Sequence, residues 1–111
     1  MLDKDQYCLE TINEAIDKIL EYTSGYNSAD EFNDAQRDFD ATMMNFVVIG
    51  EMVEKISDEL KEKHSKIEWV KIKGFRNIVA HDYFGIDAEE VWQIIKNKIP
   101  ELKSDIQELM R

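Results

Sequence analysis

The stretch RDFDATMMNFVVIGEMVEKISDELKEK, residues 37–63, decides the fold. Its apolar residues recur at intervals of three and four, which places them on one face of an α-helix. They are Phe39, Met43, Phe46, Ile49, Val53, Ile56 and Leu60. We therefore predict one long helix over residues 37–63 as the spine of the core. Gly50 costs about 1 kcal/mol relative to alanine inside a helix, so its presence indicates that another helix crosses closely there.

The segment before this helix also has helical periodicity. Residues 3–24 carry a second apolar stripe, which includes Cys8 and ends near Gly25. Ser28, with Glu31 three residues later, has the spacing of a capping box and predicts the start of a short connecting helix. Residues 3–63 therefore predict two long helices joined by a short one.

The pattern after residue 63 is shorter and more interrupted. We predict one helix over residues 75–81, after Gly74, and another that begins at a second capping box formed by Asp87 and Glu90. Pro100 is expected to interrupt or restart this last helix. The chain holds one proline and four glycines, so its composition favours an all-α fold over a turn-rich sheet protein.

Length and composition indicate a single domain over residues 1–111. A chain of this length buries roughly 65% of the surface that its unfolded form exposes, enough for one core. Cys8 is the only cysteine, so no internal disulfide is possible and we expect it to fill the core. The longest apolar run, residues 46–49, is too short to span a membrane, and the N-terminus has no signal-peptide pattern. We expect a soluble, cytoplasmic protein.

The net charge of −10 argues against unspecific binding to nucleic acid. The charge is unevenly distributed, however. Residues 61–76 hold six basic and two acidic side chains, for a local charge of +4. This segment could form an anion site, or it could be an ordinary solvated helix end rich in lysine.

Two histidines limit the possible catalytic chemistry. Neither His64 nor His81 has an acidic residue three positions before it, as the Glu-x-x-His motif of a di-metal bundle requires. We therefore expect neither a metal nor another cofactor. His64 follows Lys61 and Lys63 at a predicted helix end, where its default role is capping.

The second histidine has more promising neighbours. Asn77 lies one helical turn before His81, while Arg76 is rotated from it by about 140° and could reach the same rim if the helix frays. Arginine matches phosphate oxygens with a fork of donors, and histidine transfers protons near neutral pH. Together they suit phosphodiester cleavage. By themselves, these residues fit equally a surface arginine and a histidine at a helix end.

The segment Arg-Asn-Ile-Val-Ala-His-Asp-Tyr, residues 76–83, resembles the signature of the HEPN superfamily, specifically the HepT-like toxins: Arg, four residues, His, one residue, Tyr. The resemblance covers essentially the whole chain, because four further segments match in order and spacing: residues 45–51, Trp69 with residues 71–77, Val91-Trp92, and residues 99–102. Two positions depart from it. Met44 stands where relatives often have arginine, and Val47 where they often have an acidic residue.

This resemblance implies an antiparallel bundle of four to five helices that forms a two-fold homodimer and cleaves RNA without metal. It also implies a toxin–antitoxin pair in which a nucleotidyltransferase antitoxin adenylylates Tyr83. The residues that it implies for catalysis are Arg76 and His81, with Asn77 and Glu51 in supporting roles. Two alternatives keep the fold without the chemistry: a helical module that binds a nucleotide or docks a nucleotidyltransferase, and an inactive structural subunit.

Overall fold

The computed structural model describes residues 1–80 and 83–111. Within these ranges the chain forms helices and no strand, which confirms the all-α prediction. The helices are α1 (Asp3–Thr23), α2 (Ala29–Asp34), α3 (Gln36–Lys55), α4 (Asp58–Lys63), α5 (Trp69–Lys73), α6 (Phe75–Ala80), α7 (Ala88–Gln93) and α8 (Ile99–Leu109). A 3₁₀ turn spans Tyr83–Gly85, and a π-helical turn, Ile94–Lys98, joins α7 to α8. None of the described helices combines the length and apolar character needed to cross a bilayer.

The two long helices α1 and α3 form the centre of the bundle and run antiparallel. Asp5, near the start of α1, accepts hydrogen bonds from the backbone nitrogen of Ser57 (2.8 Å) and from its hydroxyl (2.6 Å), just after the end of α3. Burial alone would raise the pKa of Asp5, but the bonds from Ser57 outweigh it and hold that pKa below its usual value. The pair therefore ties the start of α1 to the end of α3. Cys8 lies fully within this core, as predicted.

The prediction of one continuous helix over residues 37–63 is wrong, because the chain turns after Lys55. Ile56 is extended, and the hydroxyl of Ser57 accepts a hydrogen bond from the backbone nitrogen of Leu60 at 3.2 Å, which caps α4. Ile56 and Leu60 are both buried. The apolar periodicity continues across the break because both sides pack on the same core, and this continuity hid the break.

The close crossing predicted at Gly50 is confirmed. A Cβ atom at this position would lie 2.9 Å from the backbone oxygen of Lys73 and 3.0 Å from the Cβ and backbone nitrogen of Arg76. The short helices α5 and α6 therefore pass α3 with no room for even one methyl group. This crossing fixes the backbone of Arg76 directly on α3.

The helix starts predicted at Ser28 and Asp87 are confirmed by side-chain caps. Ser28 accepts a hydrogen bond from the backbone nitrogen of Glu31 at 3.2 Å, and Asp87 accepts one from that of Glu90 at 3.3 Å.

Pro100 neither stops nor restarts the last helix as predicted, because helical backbone continues from α7 to α8. Proline lacks the N–H of a regular turn, and its ring would meet the carbonyl of Lys96 in an α-helix. The π-helical turn before it widens the backbone and accommodates the ring.

Candidate active site

Arg76 lies on α6 and reaches back across the crossing to two carboxylates of α3. Its Nη1 lies 3.3 Å from Oε1 of Glu51 and makes a second, closer contact with Oε2 of Glu54. Glu51 and Glu54 are three residues apart and therefore share one face of α3. The structure thus brings together Arg76 and Glu51, which the sequence predicted as site residues, and adds Glu54, which it did not. We call these three residues the Arg76 cluster.

The Arg76 cluster holds one cation between two anions. The hydrogen bond to Glu54 raises the pKa of Arg76 above its usual value, partial desolvation opposes this shift, and the charge of Glu51 adds to it. Both contacts use Nη1, and neither uses Nε or Nη2. The side chain of Arg76 is 29% exposed and both glutamates are more exposed. A phosphate could therefore approach this guanidinium from solvent, in competition with the two carboxylates.

Asn77 follows Arg76 on α6 and is exposed. Its backbone nitrogen donates a hydrogen bond to the carbonyl of Gly74 at 2.9 Å, which fixes the start of this short helix. Asn77 also lines a surface cavity of about 350 Å³ together with Gly85 and Asp87. The side chain is thus placed where a bound molecule could reach it.

His81, the predicted proton-transfer residue, lies outside the described residues, as does Asp82. The predicted helix over residues 75–81 is described up to Ala80, and the chain is described again from Tyr83. The pairing of Arg76 with His81, and the orientation of His81 by Asn77, therefore stay predictions.

Tyr83 is half-buried at the start of the 3₁₀ turn. Its ring lies edge-on to Phe39 of α3, with 6.2 Å between centroids and an interplanar angle of 76°. On its other side it meets Phe84 at 5.8 Å and 89°. The predicted packing of Tyr83 on a neighbouring helix and its partial exposure are both confirmed.

The remaining candidates are structural. The backbone nitrogen of His64 donates to the carbonyl of Leu60 at 3.2 Å, so His64 ends α4 as predicted. Met44, one of the two departures from the family pattern, lies exposed on α3. In the basic segment 61–76, Lys71 pairs with Glu68 at 2.8 Å, which partly neutralises the predicted anion site. Among residues 1–80 and 83–111, no group of three His, Cys, Asp or Glu side chains could hold a metal ion.

An all-helical domain with an arginine at an exposed helix crossing is compatible with several functions, and comparison with known proteins narrows them. The family model described as "Ribonuclease HepT-like" matches residues 12–109. Because this match covers most of the sequence, the chain belongs to the HepT-like ribonuclease family. No solved structure matches it significantly.

Curated relatives are named for the same activity. The chain is 37% identical over 71 residues to a candidate RNase of Caldanaerobacter subterraneus subsp. tengcongensis, which covers 64% of this chain and 63% of the relative. It is 33% identical over 102 residues to a gamma-glutamylcyclotransferase and candidate RNase of Methanocaldococcus jannaschii, covering 92% and 46%. It is 33% identical over 103 residues to the probable ribonuclease HepT of Thermococcus cleftensis, covering 93% of both. The chain thus spans less than two thirds of the first two relatives, but nearly the full length of the third.

Proposed function

We propose that this protein is a metal-independent endoribonuclease and the toxin of a toxin–antitoxin pair, with Arg76 and His81 as its catalytic residues. The observation that carries the proposal is the family match over residues 12–109. The exposed position of Arg76 on α3 supports it, since a phosphate can reach this guanidinium. Family membership supports ribonuclease activity, and the toxin role is our extension of it.

The proposed reaction is an attack of a ribose 2′-hydroxyl on the adjacent phosphorus. His81 accepts the hydroxyl proton, or donates a proton to the departing 5′-oxygen, while the P–O bond to that oxygen breaks. Arg76 stabilises the negative charge that grows on the phosphorane-like transition state. Proton transfer of this kind contributes about 10²- to 10⁴-fold, and the guanidinium acts where the charge develops.

A homodimer would explain how one histidine per site can suffice. A single His81 cannot easily serve as base and acid in one step, whereas a two-fold dimer presents two Arg76 and His81 sets across one groove. In this arrangement Asn77 orients the phosphate or His81, and Glu51 orients Arg76 through the contact at 3.3 Å. We therefore propose RNA, a second copy of the chain and an antitoxin as the partners.

We further propose that the antitoxin is a nucleotidyltransferase that adenylylates Tyr83. The phenol oxygen attacks the α-phosphorus of ATP, a new O–P bond forms, and pyrophosphate leaves with the broken phosphoanhydride bond. The partial exposure of Tyr83 supports this role, because a modified residue must be reachable without unfolding. The added phosphodiester would engage Arg76 and occupy the groove that substrate must enter.

Cleavage of RNA in the presence of a chelator tests the enzymatic proposal. We expect Arg76→Ala and His81→Ala to abolish cleavage with helicity and melting nearly unchanged. Matched controls are Arg37→Ala, at a fully solvated arginine of α3, and His64→Ala; both should cleave like wild type. Wild-type activity in His81→Ala would refute the catalytic assignment. Nucleotide binding without any cleavage would favour a non-catalytic binding module.

Mass spectrometry after incubation with ATP, magnesium and the cognate nucleotidyltransferase tests the modification. We expect one or more AMP additions that map to Tyr83 and coincide with loss of cleavage. Tyr83→Phe should stay toxic and escape this route of neutralisation, while Tyr7→Phe, at an exposed tyrosine of α1, should be neutralised normally. AMP on another residue, or silencing by binding alone, would exclude this role for Tyr83.

A further inference from the structure

Phe84 is almost completely solvated. Its exposed fraction is 98%, which is higher than that of any other large apolar side chain in residues 1–80 and 83–111. Phenylalanine is among the residues most often buried in folded proteins. A solvated phenyl ring beside the family motif is therefore a feature that folding alone does not explain.

The ring of Phe84 is held in place. Phe39, 5% exposed, contacts the edge of Tyr83, and Tyr83 in turn contacts Phe84 at 89°. The backbone nitrogen of Ile86 donates to the carbonyl of Tyr83 at 3.5 Å and closes the turn. Three rings thus lead from the core to solvent. The last ring presents its surface in a set orientation, and this reduces the entropy lost when a ligand stacks on it.

The charge of the protein limits what kind of contact can bind RNA. The net charge is −10, and the Arg76 cluster itself holds two carboxylates for one guanidinium. Affinity from phosphate contacts is therefore weak. Stacking of a nucleobase on an aromatic ring does not depend on net charge and is tolerant of sequence.

We propose that Phe84 is the stacking platform for an unpaired nucleobase of the RNA substrate, next to the phosphate that Arg76 engages. The proposal rests on the proposed ribonuclease function and adds a substrate preference to it. A base can lie on this ring only when it is unstacked from its neighbours. The enzyme therefore selects single-stranded RNA over duplex RNA.

Steady-state cleavage of a single-stranded oligoribonucleotide tests this role with three substitutions. Phe84→Ala and Phe84→Leu should each raise KM about tenfold, with a smaller change in kcat, because both remove the π face. Phe84→Trp should restore a KM near that of wild type. Val70→Ala is the matched control, at a side chain of α5 that is 85% exposed, and it should leave KM unchanged.

A binding measurement separates this proposal from the ribonuclease function. The probe is a 2′-O-methyl oligoribonucleotide, which cannot be cleaved, with one 2-aminopurine whose fluorescence falls when the base stacks. We expect quenching by wild type and Phe84→Trp, and its loss in Phe84→Ala and Phe84→Leu. Absence of RNA cleavage by wild type would count against the proposed function alone, since the fluorescence would still decide on Phe84.

Three results would overturn the stacking role. Wild-type KM and quenching in Phe84→Leu would show that apolar bulk is enough. Quenching that Phe84→Ala leaves intact would place the base elsewhere. A change from dimer to monomer in Phe84→Ala, measured by light scattering, would assign the ring to contact with a second copy.

Discussion

Two charge clusters on this protein mirror each other. In the Arg76 cluster one guanidinium lies between two carboxylates of α3. On another face of the bundle one carboxylate, that of Glu68, lies between two ammonium groups, with Nζ of Lys71 and Nζ of Lys98 each at 2.8 Å. We call the second group the Glu68 cluster. The first carries a charge of −1 and the second a charge of +1.

The two clusters hold their central ion in different ways. Hydrogen bonds from Lys71 and Lys98 lower the pKa of Glu68 from 4.5 to about 2, and lysine provides compact charges that need no fixed plane. The Glu68 cluster joins the start of α5 to the π-helical turn beside a cavity of about 320 Å³. Arg76, by contrast, has a planar fork of donors, of which the two glutamates use one nitrogen. The comparison indicates that the Glu68 cluster connects helices, whereas the Arg76 cluster keeps a cation available for a further anion.

The largest expected effect is on that planar fork. Arg76→Lys keeps the charge but removes the bidentate geometry, so we expect cleavage to fall about 10²- to 10³-fold. The reciprocal change in the other cluster, Lys71→Arg, should leave cleavage and melting near wild type. Initial rates on one RNA substrate check both variants. Equal activity of Arg76→Lys and wild type would show that any cation serves at this position.

The next effect concerns the crossing that supports the Arg76 cluster. Gly50→Ala would put a methyl group 2.9 Å from a backbone oxygen of Lys73, and backbone cannot rotate away as a side chain can. We expect a loss of about 1–3 kcal/mol in the free energy of unfolding, together with slower cleavage as Arg76 moves. Denaturant titration measures the first. Gly25→Ala is the control, because a Cβ there meets nothing within 4 Å; equal stability losses in the two variants would refute the crowding argument.

A smaller effect is expected from neutralising the two anions. In Glu51→Gln/Glu54→Gln a phosphate no longer competes with carboxylates for Arg76, so affinity for an uncleavable RNA should rise about two- to fivefold. Glu14→Gln/Glu62→Gln removes the same charge from α1 and α4. Its gain in affinity should be smaller at equal ionic strength, and the difference between the pairs should shrink in high salt. Identical gains would show that net charge, and not the Arg76 cluster, sets the affinity.

The smallest effect belongs to the Glu68 cluster. Because the pKa of Glu68 is lowered on folding, its contribution to stability is present above pH 4.5 and is lost as the pH falls from there towards 2. Glu68→Gln should therefore melt slightly lower at pH 7 and lose less stability than wild type on acidification. Exposure and salt screening keep this difference small. Melting curves at several pH values in low salt would reveal it; parallel curves for variant and wild type would exclude it.

The sequence predicted those features of the fold that depend on local patterns. The buried stripes of α1 and α3, the caps at Ser28 and Asp87, and the crossing at Gly50 all follow from spacing or from a residue that is costly in a helix. The break after Lys55 was missed because buried residues continue through it with unchanged periodicity. Ser57 was the available signal, since serine before acidic residues is typical of a helix start.

The candidate site was predictable only in part. The motif pointed to Arg76 and the family pattern to Glu51, but the pairing with Glu54 depends on how α6 is positioned over α3. Nothing local to α3 distinguishes Glu54 from other exposed glutamates. The exposure of Phe84 was equally hidden, because a phenylalanine beside a motif is normally expected to pack inward.

The π-helical turn Ile94–Lys98 has a consequence for how this chain tolerates changes in length. A π turn is equivalent to one inserted residue that a helix absorbs without ending. Deleting one residue within it would restore a regular helix and rotate everything after it by about 100°. The buried stripe of α8, which includes Ile99, Leu102 and Ile106, would then turn away from α1, and the contact of Lys103 with Asp17 at 2.5 Å would be lost. A conservative substitution at any of these five positions should be tolerated far better than a deletion, so related sequences that lack one residue here would need a compensating insertion before Ile99.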